Sequence, residues 1–111
     1  MRTLFAVTAG IIATALISGC GSKPPVSKQL TVGFSQIGAE SAWRTAETNS
    51  IKDEAARRGV NLKFSDAQQK QENQIKAIRS FIQQKVDVII LAPVVATGWD
   101  AVLKEAKDAK I

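Results

Sequence analysis

The 111 residues predict an α/β fold, a parallel sheet with helices on both faces, built in the order β-α-β-α-β-α. Three observations lead there. Short β-branched runs alternate with longer segments of helical period, which calls for right-handed crossovers and parallel pairing. Each strand candidate ends in a loop, "GAESAWR", "DAQQK" or "APVVATG", before the next helical segment begins. The third run, "VDVIILA" at 86–92, is nearly continuous in apolar residues, as a strand buried on both faces should be.

Residues 30–36, "LTVGFSQ", carry β-branched Thr31 and Val32 plus Phe34 and predict the first strand. The spacing predicts a helix over 41–58, stopped by Gly59 and preceded by two arginines that suit a helix carboxyl end. Ala42, Ala46, Ile51 and Ala55 would form its inward face. "VNLKFSD" at 60–66 alternates Val60, Leu62 and Phe64 against polar neighbours, a period of two. Ile75, Ile78, Phe81 and Ile82 recur at helical spacing within 71–84. After the third strand, residues 99–110 predict a third helix with Val102, Leu103 and Ala106 inward and Trp99 packing at its start or touching a ligand at the rim.

In open parallel sheets, ligands bind outside the carboxyl ends of the strands. "GAESAWR" lies on that edge, and the other two loops open onto it. Arg44 supplies a rigid fork of donors. Glu40 supplies charge-assisted acceptors, and Trp43 an aromatic plane with one N–H. Ser41 can donate, accept or cap the helix. That set suits a sugar, whose hydroxyls need bidentate partners and whose C–H face needs a flat apolar surface. Plainer readings stand beside it: Trp43 in the core, Ser41 as a cap only, and Glu40 with Arg44 as a helix-surface pair.

Other chemistries are poorly served. The chain has no histidine, so the commonest acid–base and metal residue is absent. It has neither a dinucleotide-binding nor a P-loop glycine pattern. Asp66 and Asp87 fall on different strands and form no dyad. No metal, cofactor or catalytic residue is predicted. The net charge of +5 is spread along helices, with no aromatic interleaved in a basic run, so no nucleic-acid partner is predicted either.

The first 19 residues read as a signal peptide: Arg2, then an apolar run over 4–17 too short to span a bilayer as a stable helix. The run ends in "LISGC". This resembles a lipobox, with cleavage before Cys20 and lipid attached to it; the alternative is an ordinary cleaved signal with an incidental cysteine. A lone cysteine excludes an intrachain disulfide. Residues 20–29 then read as a lipidated tether, rich in Pro, Gly and Ser.

The stretches "TVGFSQIGAESAWRTAETN", "QQKQENQIKAIRSFIQQ" and "VDVIILAPVVATGW" resemble the amino-terminal part of periplasmic sugar-binding proteins of ABC importers. The likeness is to the ribose and galactose group and, within it, the galactofuranose-binding branch, and it covers residues 30–111. The resemblance implies a type I periplasmic-binding-protein lobe, here incomplete, with a monosaccharide clamped between two lobes and handed to ABC permease subunits. It places sugar contacts on Glu40, Ser41, Ala42, Trp43 and Arg44. Ala42 and Lys85 stand where relatives have glycine. Together with the tether, it implies a monomeric receptor held at the membrane through Cys20, in the periplasmic or extracytoplasmic envelope. The alternatives are the effector domain of a sugar-responsive transcription regulator, a non-functional truncated fragment, a small α/β enzyme and a complete small domain.

Overall fold

The computed structural model describes residues 27–111. The signal peptide, Cys20 and most of the tether lie outside them. Six elements follow in order: β1 Thr31–Gln36, α1 Ala42–Arg57, β2 Asn61–Asp66, α2 Gln71–Gln83, β3 Val88–Leu91 and α3 Asp100–Asp108. All pairing is parallel, with the strands in the order β2-β1-β3. The chain therefore moves one way from β1 to β2, then crosses back over β1 to β3. The crevice at such a reversal, between the carboxyl ends of β1 and β3, is the place for a ligand.

The sheet divides its side chains by alternation. Gly33, Ile89 and Leu91 face α2 and α3. A Cβ on Gly33 would come within 2.5 Å of the Phe81 ring, so glycine here lets α2 lie directly on the central strand. Ile78, Trp99 and Val102 form one buried cluster with Ile89 and Leu91 against it, and Ala77, Phe81 and Val86 another. On the opposite face Phe34 is fully buried and stacks obliquely on Phe64, ring centroids 5.8 Å apart. Burying a side chain such as Phe34 or Ile78 contributes about 1.5–3 kcal/mol.

Three inward assignments need correction. Val88 and Ile90 are 43% and 41% exposed, so β3 is not buried on both faces. It is an edge strand here, and α1 covers β1 and β2 instead. Of the predicted inward face of α1, only Ala55 is buried and Ile51 half-buried, while Ala42 and Ala46 are exposed. Leu103 is exposed because Trp99, Val102 and Ala106 take the inward stripe, and Leu103 lies about 100° around the helix from Val102.

All three helices end alike. After α1 the Val60 N–H reaches the Ala55 carbonyl at 2.8 Å; after α2 Val86 reaches Phe81 at 3.2 Å; after α3 Ile111 reaches Ala106 at 3.0 Å. The intervening residues, Gly59, Lys85 and Lys110, have φ of 66°, 53° and 62°. This is the Schellman arrangement, which needs a left-handed residue just past the helix. Only Gly59 announces it in the sequence.

The base of the sheet is tied by charge. Lys28 reaches Asp87 at 2.7 Å, and Asp87 also accepts from the Thr31 N–H at 2.8 Å. Those contacts, Lys28 first, hold the Asp87 carboxyl below its usual range. Gln29 donates to the Gly59 carbonyl at 2.9 Å. Arg57 and Arg58, the densest basic spot, both bind Glu54 and pull its pKa down to about 2, Arg57 most. Arg79 similarly lowers Glu105.

Candidate sugar-binding edge

β1 ends at Gln36, and the chain turns through Ile37 to Glu40 into α1. Ser41 is the N-cap, with φ −140° and ψ 156°, and its Oγ accepts the Arg44 N–H at 3.2 Å. The capping reading of Ser41 is therefore met, and the hydroxyl remains exposed at the rim. Gly38 is buried. A Cβ there would lie 2.7 Å from a Glu40 carboxylate oxygen, so the missing side chain is what lets Glu40 fold back over the turn.

Arg44 sits between two carboxylates. Its Nε is 3.5 Å from Glu40 Oε1 and its Nη1 3.2 Å from Glu47 Oε2. The three side chains are between a quarter and a third exposed, at 25%, 33% and 28% for Arg44, Glu40 and Glu47. The surface-pair reading thus holds in part, and the pair stands just past the carboxyl end of β1. Trp43 is 64% exposed, which removes it from the core. Its ring centroid lies 4.8 Å from the Arg44 guanidinium carbon. Ala42 is exposed beside it. Glu40, Ser41, Ala42, Trp43 and Arg44 are thus brought together on one rim.

The loop after β2 is bonded to this one, and the loop after β3 to the start of α2. The Gln69 N–H donates to the Ile37 carbonyl at 2.7 Å. Gln71 donates to the Thr97 carbonyl at 2.7 Å. Gln74, fully buried, accepts from the Val94 N–H at 2.8 Å and donates to the Ala92 carbonyl at 2.6 Å. Trp99 is 7% exposed, and its indole donates to the Val95 carbonyl at 2.8 Å. Trp99 is therefore the packing residue, closing its own loop. Gln68 and Gln69 take left-handed backbone, φ 50° and 59°, where "DAQQK" meets the turn. Asp66 stands at this end of the sheet and Asp87 at the other, so they cannot act together.

Sequence reasoning missed the supports. Gln36, Glu47, Gln71 and Gln74 carry the hydrogen bonds that hold the rim. The available signal was a polar residue at an inward position: Gln36 shares its face with Val32 and Phe34, and Gln74 shares a stripe with Ile78. A buried amide demands partners. Chemically, a carboxylate beside a guanidinium reads a hydroxyl in both directions, as donor to one and acceptor from the other. The open Trp43 face can cover C–H groups. The edge is a rim, not an enclosed cavity. One concavity elsewhere, of about 610 Å³, lies between β2 and α2 and includes Lys63, Phe64 and Lys76. Among the described residues no group of side chains suits a metal ion, and no helix is long and apolar enough to cross a membrane.

Residues 32–111 match the periplasmic binding protein domain family. The chain is 59% identical over 101 residues to the galactofuranose-binding protein YtfQ of Escherichia coli, covering 91% of this chain and 32% of that protein. It thus spans about a third of that relative's length. The periplasmic binding protein component of the arabinose ABC transporter from Shewanella sp. ANA-3, solved with α- and β-L-arabinofuranose, superposes with a TM-score of 0.72 at 70% identity over 73% of this chain and 27% of that one. A Mycobacterium smegmatis protein in complex with β-D-fucofuranose gives 0.73 and 68% over 74% and 27%. The first of these relatives is named for sugar binding and the second as the binding component of a transporter, neither for catalysis.

Proposed function

Because this chain belongs to the periplasmic binding protein domain family, we propose that its strand-end rim is one jaw of a clamp for a monosaccharide in furanose form, galactofuranose or a close likeness. The observation that carries the reading is the juxtaposition of Glu40, Arg44 and the open Trp43 ring at the reversal of strand order. The furanose form is supported by the sugars named for the three relatives. Residues 30–111 then form the front of a first lobe. A second lobe closes on the ligand by hinge motion, and the closed monomer hands the sugar to an ABC permease. No bond is made or broken.

In this account Arg44 and Glu40 share ligand hydroxyls, Ser41 offers its hydroxyl at the rim, Ala42 adds only a methyl group beside the ring, and Trp43 covers the apolar face. Upstream, residues 1–19 are removed as a lipoprotein signal, Cys20 carries lipid, and residues 20–29 tether the domain in the periplasmic or extracytoplasmic envelope. One acyl chain binds membranes only marginally, so stable anchoring needs more than one.

The sugar half is tested by calorimetry on this chain joined to the remaining two thirds of the Escherichia coli relative. Arg44→Ala weakens galactofuranose binding by roughly 1.5–3 kcal/mol, as for hydrogen bonds to a charged group, on the order of tenfold to a hundredfold. Arg44→Lys does not rescue, since a point charge lacks the planar fork. Wild-type affinity in both variants sinks the assignment. The anchor half is tested by fractionation: Cys20→Ala leaves the membrane fraction or fails to mature. Its retention there at wild-type level shows that Cys20 is not the anchor.

A further inference from the structure

Resting on the reading of Arg44 as a sugar contact, we propose that Glu47 and Gln36 are positioning residues for it. They form a hydrogen-bonded relay from the buried end of β1 to the rim.

Gln36 is fully buried, on the face that carries Val32 and Phe34. An apolar residue would be the simple choice there. Its side-chain oxygen accepts the Ile37 N–H at 2.9 Å, which fixes the orientation of the amide, because only the oxygen can accept. The amide nitrogen then points to α1, donating to Glu47 Oε2 at 3.0 Å and Thr48 Oγ1 at 3.3 Å. That same Glu47 oxygen accepts from Arg44 Nη1 at 3.2 Å. The carboxylate is therefore held from behind by a buried donor while it holds the guanidinium in front.

A pair three residues apart on a free helix surface contributes little and fixes nothing, since both side chains stay mobile. Here the Arg44 and Glu47 side chains are only 25% and 28% exposed, and one of them is bonded to the sheet. Glu40 lies farther from the guanidinium, at 3.5 Å. Without Glu47 the arginine keeps only that looser carboxylate and the exposed Trp43 ring, 4.8 Å away. It then collapses onto Glu40 or turns to solvent, and either loses the arrangement that reads a hydroxyl. Holding a binding group in place before the ligand arrives removes an ordering cost from association.

A double-mutant cycle separates positioning from plain stabilisation, because a residue acting through Arg44 has nothing to act on once Arg44 is gone. The same joined protein is prepared as wild type, Arg44→Ala, Glu47→Ala and the double variant, each with a thermal melt and a titration with galactofuranose. Glu47→Ala weakens binding roughly five- to tenfold beside Arg44, and less than about twofold in the Arg44→Ala background. Gln36→Leu weakens it beside Arg44 and, again, hardly at all without it. An equal loss in both backgrounds, or no loss beside Arg44, overturns the relay while leaving the sugar reading intact. No loss on Arg44→Ala itself overturns the sugar reading and the relay together. Should Glu47→Ala not fold, Glu47→Gln replaces it: its amide oxygen still accepts both bonds, so it binds more tightly than Glu47→Asp, whose shorter arm reaches neither. The reverse order overturns the relay.

Discussion

At Gly38 the absence of a side chain is what the rim is built around. The Glu40 carboxylate occupies the space a Cβ would need, 2.7 Å away, and Gln69 closes the other side. Gly38→Ala therefore displaces Glu40, and with it the acceptor that faces Arg44 Nε. Glu40 is the end of a flexible side chain and can move, so stability changes little. Galactofuranose binding by the joined protein falls roughly tenfold, in the range for losing a charge-assisted hydrogen bond, while the melting temperature stays near wild type. Binding at wild-type strength shows that Glu40 does not contact the sugar. At this scale the sequence was most informative about chemistry and least about support. "GAESAWR" announced its carboxylate, hydroxyl, indole and guanidinium by residue type. It could not say that Trp43 stands open or that Arg44 is shared with Glu47, because Glu47 lies a turn away and Gln36 reaches it only through the fold.

The elements were legible because each carries its own punctuation. β1, β2 and β3 lie where β-branched and alternating residues put them, within two residues at every end. What was lost concerns neighbours. "VDVIILA" reads as doubly buried, yet whether Val88 and Ile90 are covered depends on which helix crosses them, and α1 does not. Helix ends show the same limit. Lys85 lies away from the rim, but it holds the left-handed position of the α2 terminus, φ 53°. A side chain there is strained by roughly 1–2 kcal/mol relative to glycine. Glycine's greater freedom in the unfolded chain offsets part of that gain. Lys85→Gly is thus expected to stabilise the fold by roughly 0.5–1 kcal/mol in denaturant unfolding. The reciprocal change at the end of α1, Gly59→Lys, destabilises it by a similar amount. A loss of stability on Lys85→Gly would mean that the Lys85 side chain makes a contact worth more than the backbone strain.

Taken whole, the chain gathers its three loops at one end of the sheet and holds residues 28 and 29 at the other. Lys28 bonds to Asp87 and Gln29 to the Gly59 carbonyl, at the end of the sheet opposite the rim. One jaw offers a hydroxyl partners on one side only, and most of the ligand's surface stays in water, where hydrogen bonds contribute little. The central claim is that this rim is half of a furanose clamp. Calorimetric titration of the joined protein with galactofuranose and, in parallel, galactopyranose tests it most directly. The account predicts saturable binding of the furanose at least tenfold, roughly 1.4 kcal/mol, tighter than the pyranose. Absence of binding to either sugar, or a preference for the pyranose, would contradict it.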